Sequence, residues 1–219
     1  MMPSYEDWIS HCFAHPVSDP AWYFDVDSPS WEAPSSTSLQ FMTRLFTSSA
    51  HVCEQFTDAQ LDQGFWYLVS PSGSDHMFAL LDESLPEANR LTCLRAMKSL
   101  FQDLFAARCT DVASSRRQSG EGLSPLNSIC HMWWEVIPIH GKPADSTRRT
   151  LDATVLEVLQ SQLEISSIAC QESALHGLGH WAHYYPERVE EIVAQFLESQ
   201  NDNATLRAYA TAAAKGNVQ

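Results

Sequence analysis

The stretch Glu172-Ser173-Ala174-Leu175-His176-Gly177-Leu178-Gly179-His180-Trp181-Ala182-His183-Tyr184-Tyr185-Pro186, continuing from Glu187 to Leu197, spells a helix, a short turn and a second helix. On a wheel of about 100° per residue, Glu172, His176, His180 and His183 fall within roughly 80° of one another. Ile168, Ala174, Leu175, Leu178 and Ala182 form a separate apolar arc centred roughly 130° away. The histidines are therefore expected on a flank or an exposed face of this helix, not on its core face. Gly177 and Gly179 each cost a helix about 1 kcal/mol relative to Ala, which makes sense where another helix backbone comes close. Pro186 opens the second helix, where its missing N–H costs nothing. Glu187, Glu190 and Glu191 oppose the positive end of that helix's dipole. Val189, Ile192, Val193, Phe196 and Leu197 form its apolar stripe.

Helical periodicity extends over most of the chain. Tyr5 to Ala14 predicts a short helix with Trp8, Ile9, Cys12 and Phe13 on one face. From His15 to Pro34 the prolines Pro16, Pro20, Pro29 and Pro34 predict an irregular segment. Its aromatics Trp22, Tyr23, Phe24 and Trp31 argue against disorder, so residues 1–34 are expected to wrap over a helical body. Leu39, Met42, Leu45, Phe46, Val52, Cys53 and Phe56 predict one helix over roughly 36–56. Thr57 and Gln60 form a capping-box pair that opens a helix through Val69, and Pro71-Ser72-Gly73-Ser74 breaks it. A short helix through Met77 to Leu81 follows. Ser84, Pro86 and Glu87 then start a long one running through Leu104 and Phe105.

Thr110 to Ser124 reads as a long internal loop carrying a local basic spot, Arg116-Arg117. Pro125 begins a helix through Val136, His140-Gly141-Lys142-Pro143 is a turn, and Ser146 to Glu164 is helical. Thr205 to Lys215 forms a closing helix stopped by Gly216. No run alternates with the period of a strand. The chain reads as all-α, a single domain over 1–219 with antiparallel helical neighbours over 35–219.

Composition narrows the function classes. The 219 residues are 44% hydrophobic and 11% aromatic, ample for a packed core. No window approaches the roughly 18 apolar residues of a membrane span, and the acidic start Met1-Met2-Pro3-Ser4-Tyr5-Glu6-Asp7-Trp8 is unlike a signal peptide. A cytoplasmic location is the expectation. A formal net charge of -14 argues against nucleic acid and anionic membrane as partners. It suits a basic protein or peptide, a cationic ligand or a metal ion. The cysteines Cys12, Cys53, Cys93, Cys109, Cys130 and Cys170 are scattered singly, without a Cys-x-x-Cys pair, and are expected to be buried, reduced thiols.

Two constellations carry chemistry. Glu172, His176, His180 and His183 could hold a divalent metal such as zinc, since imidazoles one turn apart can reach a common ion. The pattern His-x3-His-x2-His lacks the glutamate that follows the first histidine of the zinc-protease motif, because Gly177 stands there. The simpler alternative, from helical-repeat packing, is histidines bonding backbone or acidic groups on the adjacent helix. The second constellation is Cys130-His131-Met132-Trp133-Trp134-Glu135. His131 and Glu135 share a face at i, i+4, with Trp134 beside it. Two adjacent tryptophans are not expected to point into one core, so one belongs at a helix seam or at a surface groove. Trp134, His131 and Glu135 are thus the candidate partner-binding residues. There is no Gly-x-Ser-x-Gly elbow, no P-loop and no Gly-x-Gly-x-x-Gly, and the eight glycines do not cluster, so no catalytic residue and no nucleotide cofactor is assigned.

Residues 170–199 resemble a HEAT or armadillo-type repeat, with Ala174-Leu175 and Leu178-Gly179 standing where such repeats carry small and aliphatic packing residues. The chain as a whole resembles a bacterial family of helical-repeat-like proteins, a likeness that carries no activity with it. It implies a HEAT/armadillo-like antiparallel helical array, an α–α superhelix, preceded by the proline- and aromatic-rich segment. Such an array presents an extended surface suited to protein or peptide partners. The first expectation is therefore a non-enzymatic scaffold or protein-binding protein. The rival, from another class, is a metal-binding protein or metal-dependent enzyme built on the histidine stripe.

Overall fold

The computed structural model of the chain describes residues 4–28, 30–112, 122–199 and 203–218, and among them there are helices, turns and no strand. The helices are α1 (Tyr5–Phe13), α2 (Ser35–Thr47), α3 (Ser49–Val52), α4 (Asp58–Val69), α5 (Glu87–Leu100), α6 (Ala106–Arg108), α7 (Leu126–Val136), α8 (Arg149–Gln162), α9 (Ile168–Trp181), α10 (Pro186–Glu198) and α11 (Ala204–Ala213). Local chemistry sets many of their ends. Ser4 with Asp7 and Thr57 with Gln60 form reciprocal capping boxes on α1 and α4. Ser167 and Asn203 cap α9 and α11, and Gly216 turns the chain after α11 with φ 71°.

Three sequence expectations need correction. The helix expected over 36–56 is divided at Ser48 into α2 and α3. Thr43 and Thr47 turn their hydroxyls back to the carbonyls of Leu39 (2.7 Å) and Thr43 (2.8 Å), a competition that weakens a helix locally. The break lets Phe46, Cys53 and Phe56 all reach the core. Ser84 does not start α5; its hydroxyl bonds Asp82 (2.6 Å), and Pro86 occupies the cap position. Past Leu100 the α5 helix widens into a π-helical turn, Phe101–Phe105, before α6. The basic spot Arg116-Arg117 lies outside the described residues. The base of its loop is clamped. Asn127 exchanges two hydrogen bonds with the Thr110 backbone (2.8 and 2.9 Å), and Asp58 accepts from Arg108 (2.7 Å) and Ser124 (2.9 Å).

The buried side chains form one continuous cluster from Tyr5 to Ala213. Helix α7 lies near its middle, packed on α4 and α9. Helix α9 also touches α8, α10 and α11, while α2 packs on α5 and α5 on α8. Among the described residues no helix is long and apolar enough to cross a membrane. All six cysteines are buried and free.

The irregular segment after α1 is held down by α4. Gln63 donates to the Ser18 carbonyl (2.5 Å), Gln60 donates to the His15 carbonyl (3.2 Å), and His15 stacks on Trp22 at 3.7 Å. Beneath it a polar chain runs through the core. Trp8 Nε1–H donates to His76 Nε2 (2.7 Å), His76 Nδ1–H donates to Ser74 Oγ (2.8 Å), and Ser74 donates to the Tyr67 carbonyl (2.8 Å). This chain uses His76 as an acceptor, so it needs the neutral ring. Burial, with a smaller push from His11, lowers the His76 pKa to about 4. Burial and then His15 likewise lower His11 to about 4.

On the other side, buried Asp152 accepts from Arg148 (3.0 Å), the Lys142 N–H (2.6 Å) and Tyr185 (2.8 Å). It thereby fastens the 140–142 turn and the α9–α10 turn to α8.

Glycine positions make the first prediction. A Cβ on Gly177 would stand 2.7 Å from Trp134 Cβ and 2.8 Å from Leu159 Cδ2, whereas one on Gly179 would meet the end of the Val218 side chain. Trp134 Cβ cannot swing aside, and Val218 near the terminus can. Gly177→Leu is therefore expected to lower stability by about 1–3 kcal/mol or more, and Gly179→Leu by clearly less, in denaturant titrations. A second prediction concerns pH. With folded-state histidine pKa values near 4 against an unfolded value near 6.5, the unfolded chain binds the extra protons, so stability is complete above that range and is lost as pH falls from 6.5 towards 4. The melting temperature should drop over that interval, and His76→Gln, which keeps an acceptor for Trp8, should flatten the drop.

Candidate metal centre

The residues that meet are drawn from both sequence constellations. Glu135 Oε2 of α7 lies 2.8 Å from His176 Nε2 and 3.5 Å from His180 Nε2, both of α9. The two imidazole Nε2 atoms are 3.2 Å apart. These three residues form the group of ligand atoms mutually within 4.8 Å among the described residues. Glu172 and His183 of the expected stripe do not belong to it. Glu172 is fully buried one turn before His176, and His183 is exposed beyond the end of α9, near Gly216.

The expectation that the stripe faces outward fails for its first half. Helix α9 is wrapped by α7, α8, α10 and α11, which bury residues on every side of it. The wheel separates the histidines from the apolar arc correctly, but the tertiary packing covers both. The His176 side chain is 2% exposed, while His180 is 38% and Glu135 is 41% exposed. The site thus has a buried floor and an open mouth.

The second constellation is also rearranged. Trp133 and Trp134 are both fully buried, because α7 is flanked on opposite sides. Trp133 meets Phe46, Phe65, Phe101 and Phe105 at ring distances of 5.8–5.9 Å. Trp134 sits against Gly177 and donates from Nε1 to Gln162 Oε1 (2.9 Å). At 1% exposure it offers no surface anchor. His131 is half-buried, with its ring 4.3 Å from that of His176. Glu135 faces the histidines. A further residue comes from α11: the Tyr209 hydroxyl lies 2.8 Å from His176 Nδ1. Nothing in its alanine-rich sequence context marks Tyr209. The i, i+4 pair His131/Glu135 was the one sequence signal that a polar face of α7 sought a partner.

Chemically, one proton bridging Glu135 and His176 satisfies the contact without an ion, and a cation that displaces it meets three donors already converging. A four- to six-coordinate transition metal with bonds near 2.0–2.2 Å holds adjacent donors about 3.0–3.5 Å apart. The observed 2.8, 3.2 and 3.5 Å separations need shifts of only a few tenths of an ångström. Burial alone would raise the Glu135 carboxyl. The hydrogen bond and charge of His176, followed by those of His180, outweigh it and hold the carboxyl below its usual range.

Comparison with protein family models, with curated proteins and with solved structures gives no match to this chain.

A depressed carboxyl pKa fixes the sign of a pH effect. Stabilisation by the Glu135 carboxylate is fully present above its unfolded pKa of about 4.3 and is lost as pH falls through the lower folded value. In metal-free protein, wild type should therefore melt above Glu135→Gln at pH 6 by a modest margin, about 1 kcal/mol or less given the exposure of the pair. That margin should close as the pH is taken to 3, in parallel thermal melts at low salt.

Proposed function

We propose that the protein binds a divalent transition metal through Glu135, His176 and His180. The observation that carries this is the convergence of one carboxylate oxygen and two imidazole nitrogens, from two different helices, on a partly exposed point. Two histidines one turn apart on a rigid helix, with a carboxylate from a neighbour, form a borderline-hard donor set. It suits zinc, iron(II) or manganese and, lacking sulfur, does not select copper(I). Three protein ligands leave a coordination position for water or substrate, the pattern of a reactive ion rather than a closed structural one. The open side at His180 and Glu135 gives that position access to solvent. The formal charge of -14 favours a cation in the neighbourhood.

A second reading, from another class, is a non-enzymatic scaffold with a HEAT/armadillo-like array that binds a basic protein or peptide. Net charge and the stacking of α8 to α11 on one another support it. A groove of about 640 Å3 between α2 and α5 fits it poorly. It is lined by Leu39, Leu85, Pro86 and Arg44 among small polar residues and carries no carboxylate.

Element analysis separates the two. Under the metal reading the purified protein holds close to one equivalent of zinc, iron or manganese. The metal is lost in His180→Gln and in Glu135→Gln, and kept in His183→Gln. Binding weakens as pH falls, because protons compete with the ion for the imidazole nitrogens. Chelator lowers the melting temperature, since an ion at 100 times its Kd adds about 2.7 kcal/mol to the folded state. Absence of stoichiometric metal, with no uptake by stripped protein, would leave the scaffold reading standing.

A further inference from the structure

We infer that Tyr209 is the positioning residue for the metal ligand His176, and that docking of α11 on α9 is thermodynamically linked to occupancy of the Glu135–His176–His180 centre; this rests on the metal reading above. His176 is enclosed, and both of its ring nitrogens are engaged, Nε2 with Glu135 and Nδ1 with Tyr209, each at 2.8 Å. An imidazole that ligates through Nε2 carries its proton on Nδ1 and must donate it to an acceptor. The Tyr209 hydroxyl is placed to accept it.

Without an ion the same pair runs the other way. Nε2–H donates to Glu135, and the Tyr209 O–H donates to Nδ1. Loading the ion moves the ring proton from Nε2 to Nδ1 and reverses the Tyr209 hydroxyl. A phenol hydroxyl can serve in both states because it both donates and accepts.

Tyr209 is carried by a helix that the site itself helps to hold. Asn203 caps α11 by accepting from the Thr205 and Leu206 N–H groups (3.0 and 3.2 Å), and Leu206, Ala210 and Ala213 are buried. After Gly216 the chain folds back, so that Val218 lies on Gly179 and Gly216 lies beside His183. Helix α11 and this tail therefore cover α9 from His176 to His183. Undocking α11 takes the acceptor from Nδ1 and admits water to the His176 floor. An ion that favours the positioned His176 must then favour docked α11, and docked α11 must favour the ion by the same factor.

The test uses the full chain, stripped with chelator, and zinc or cobalt(II) alone as the probe. In wild type, one equivalent of zinc should slow amide hydrogen exchange over residues 204–213 by about tenfold or more. Tyr209→Phe keeps the ring and removes the hydroxyl. It should weaken zinc binding by about 10- to 100-fold, abolish the zinc-dependent slowing and alter the visible spectrum of the cobalt form. A tyrosine with only a structural role would lower the melting temperature of the metal-free protein and leave zinc affinity unchanged. Zinc bound by wild type without any change in α11 exchange overturns the linkage while the metal centre survives, as does equal zinc affinity in Tyr209→Phe. No zinc uptake by wild type overturns both. The exchange measurement needs no variant, so it decides even if Tyr209→Phe folds poorly.

Discussion

The close approach of α7 and α9 at Gly177 governs the middle of this protein. With hydrogen in place of a side chain, α9 admits the Trp134 Cβ and ring against its backbone. Trp134 in turn donates to Gln162, whose amide donates to the Cys170 carbonyl (2.8 Å), so α7, α8 and α9 are joined by one buried relay. The next residue on each helix, Glu135 beside Trp134 and His176 beside Gly177, then comes into hydrogen-bond contact. One steric allowance thus sets both a core contact and the candidate centre. Any larger residue at Gly177 would part the helices and separate the carboxylate from the imidazoles.

Around that contact, α7 is buried on nearly all sides. Trp133 faces four phenylalanines, and Trp134 stacks on Phe101 with an interplanar angle of 9°. Aromatic pairs of this kind contribute about 0.5–1.5 kcal/mol each beyond area burial. The π-helical turn that carries Phe101 and Phe105 aims both rings at Trp133. With its apolar faces committed, α7 turns Glu135 outward, and Glu135 and His180 form the open edge of the centre.

Charge is distributed to the same end. The surface is acidic overall, yet cationic side chains are used as internal clamps: Arg148 on Asp152 and Arg108 on Asp58 each tie a loop to a helix. Neither is near the histidines in sequence. The histidine centre has one carboxylate, Glu135, beside its two imidazoles. Elsewhere in the core, His76 accepts from Trp8 and donates to Ser74, and so fastens α1 to the body.

The sequence by itself determined what depends on neighbours within about one or two helical turns: an all-α chain, the capping box of Thr57 with Gln60, the prolines that open α7 and α10, the Gly216 stop, and the irregular Pro-rich segment after α1. It also marked His176 and His180, because one-turn spacing on a helix is a local property. It could not place Ser48 as a break, since propensity there is weak and the core's demand for Phe46, Cys53 and Phe56 decided the matter. It allowed one of the two adjacent tryptophans a helix seam, the place Trp134 takes against Gly177, but not which of them, since that follows from the packing on opposite sides of α7. The pairing of Glu135 with His176 spans 41 residues and that of Tyr209 with His176 spans 33. Glu172 and His183 look equally eligible on a helical wheel, which describes one helix in isolation. Only the packing of α7, α9 and α11 chose the members of the site, because which polar groups meet is set by the distance and rotation between helices, and these follow from the volumes at their contacts rather than from the pattern along any one of them.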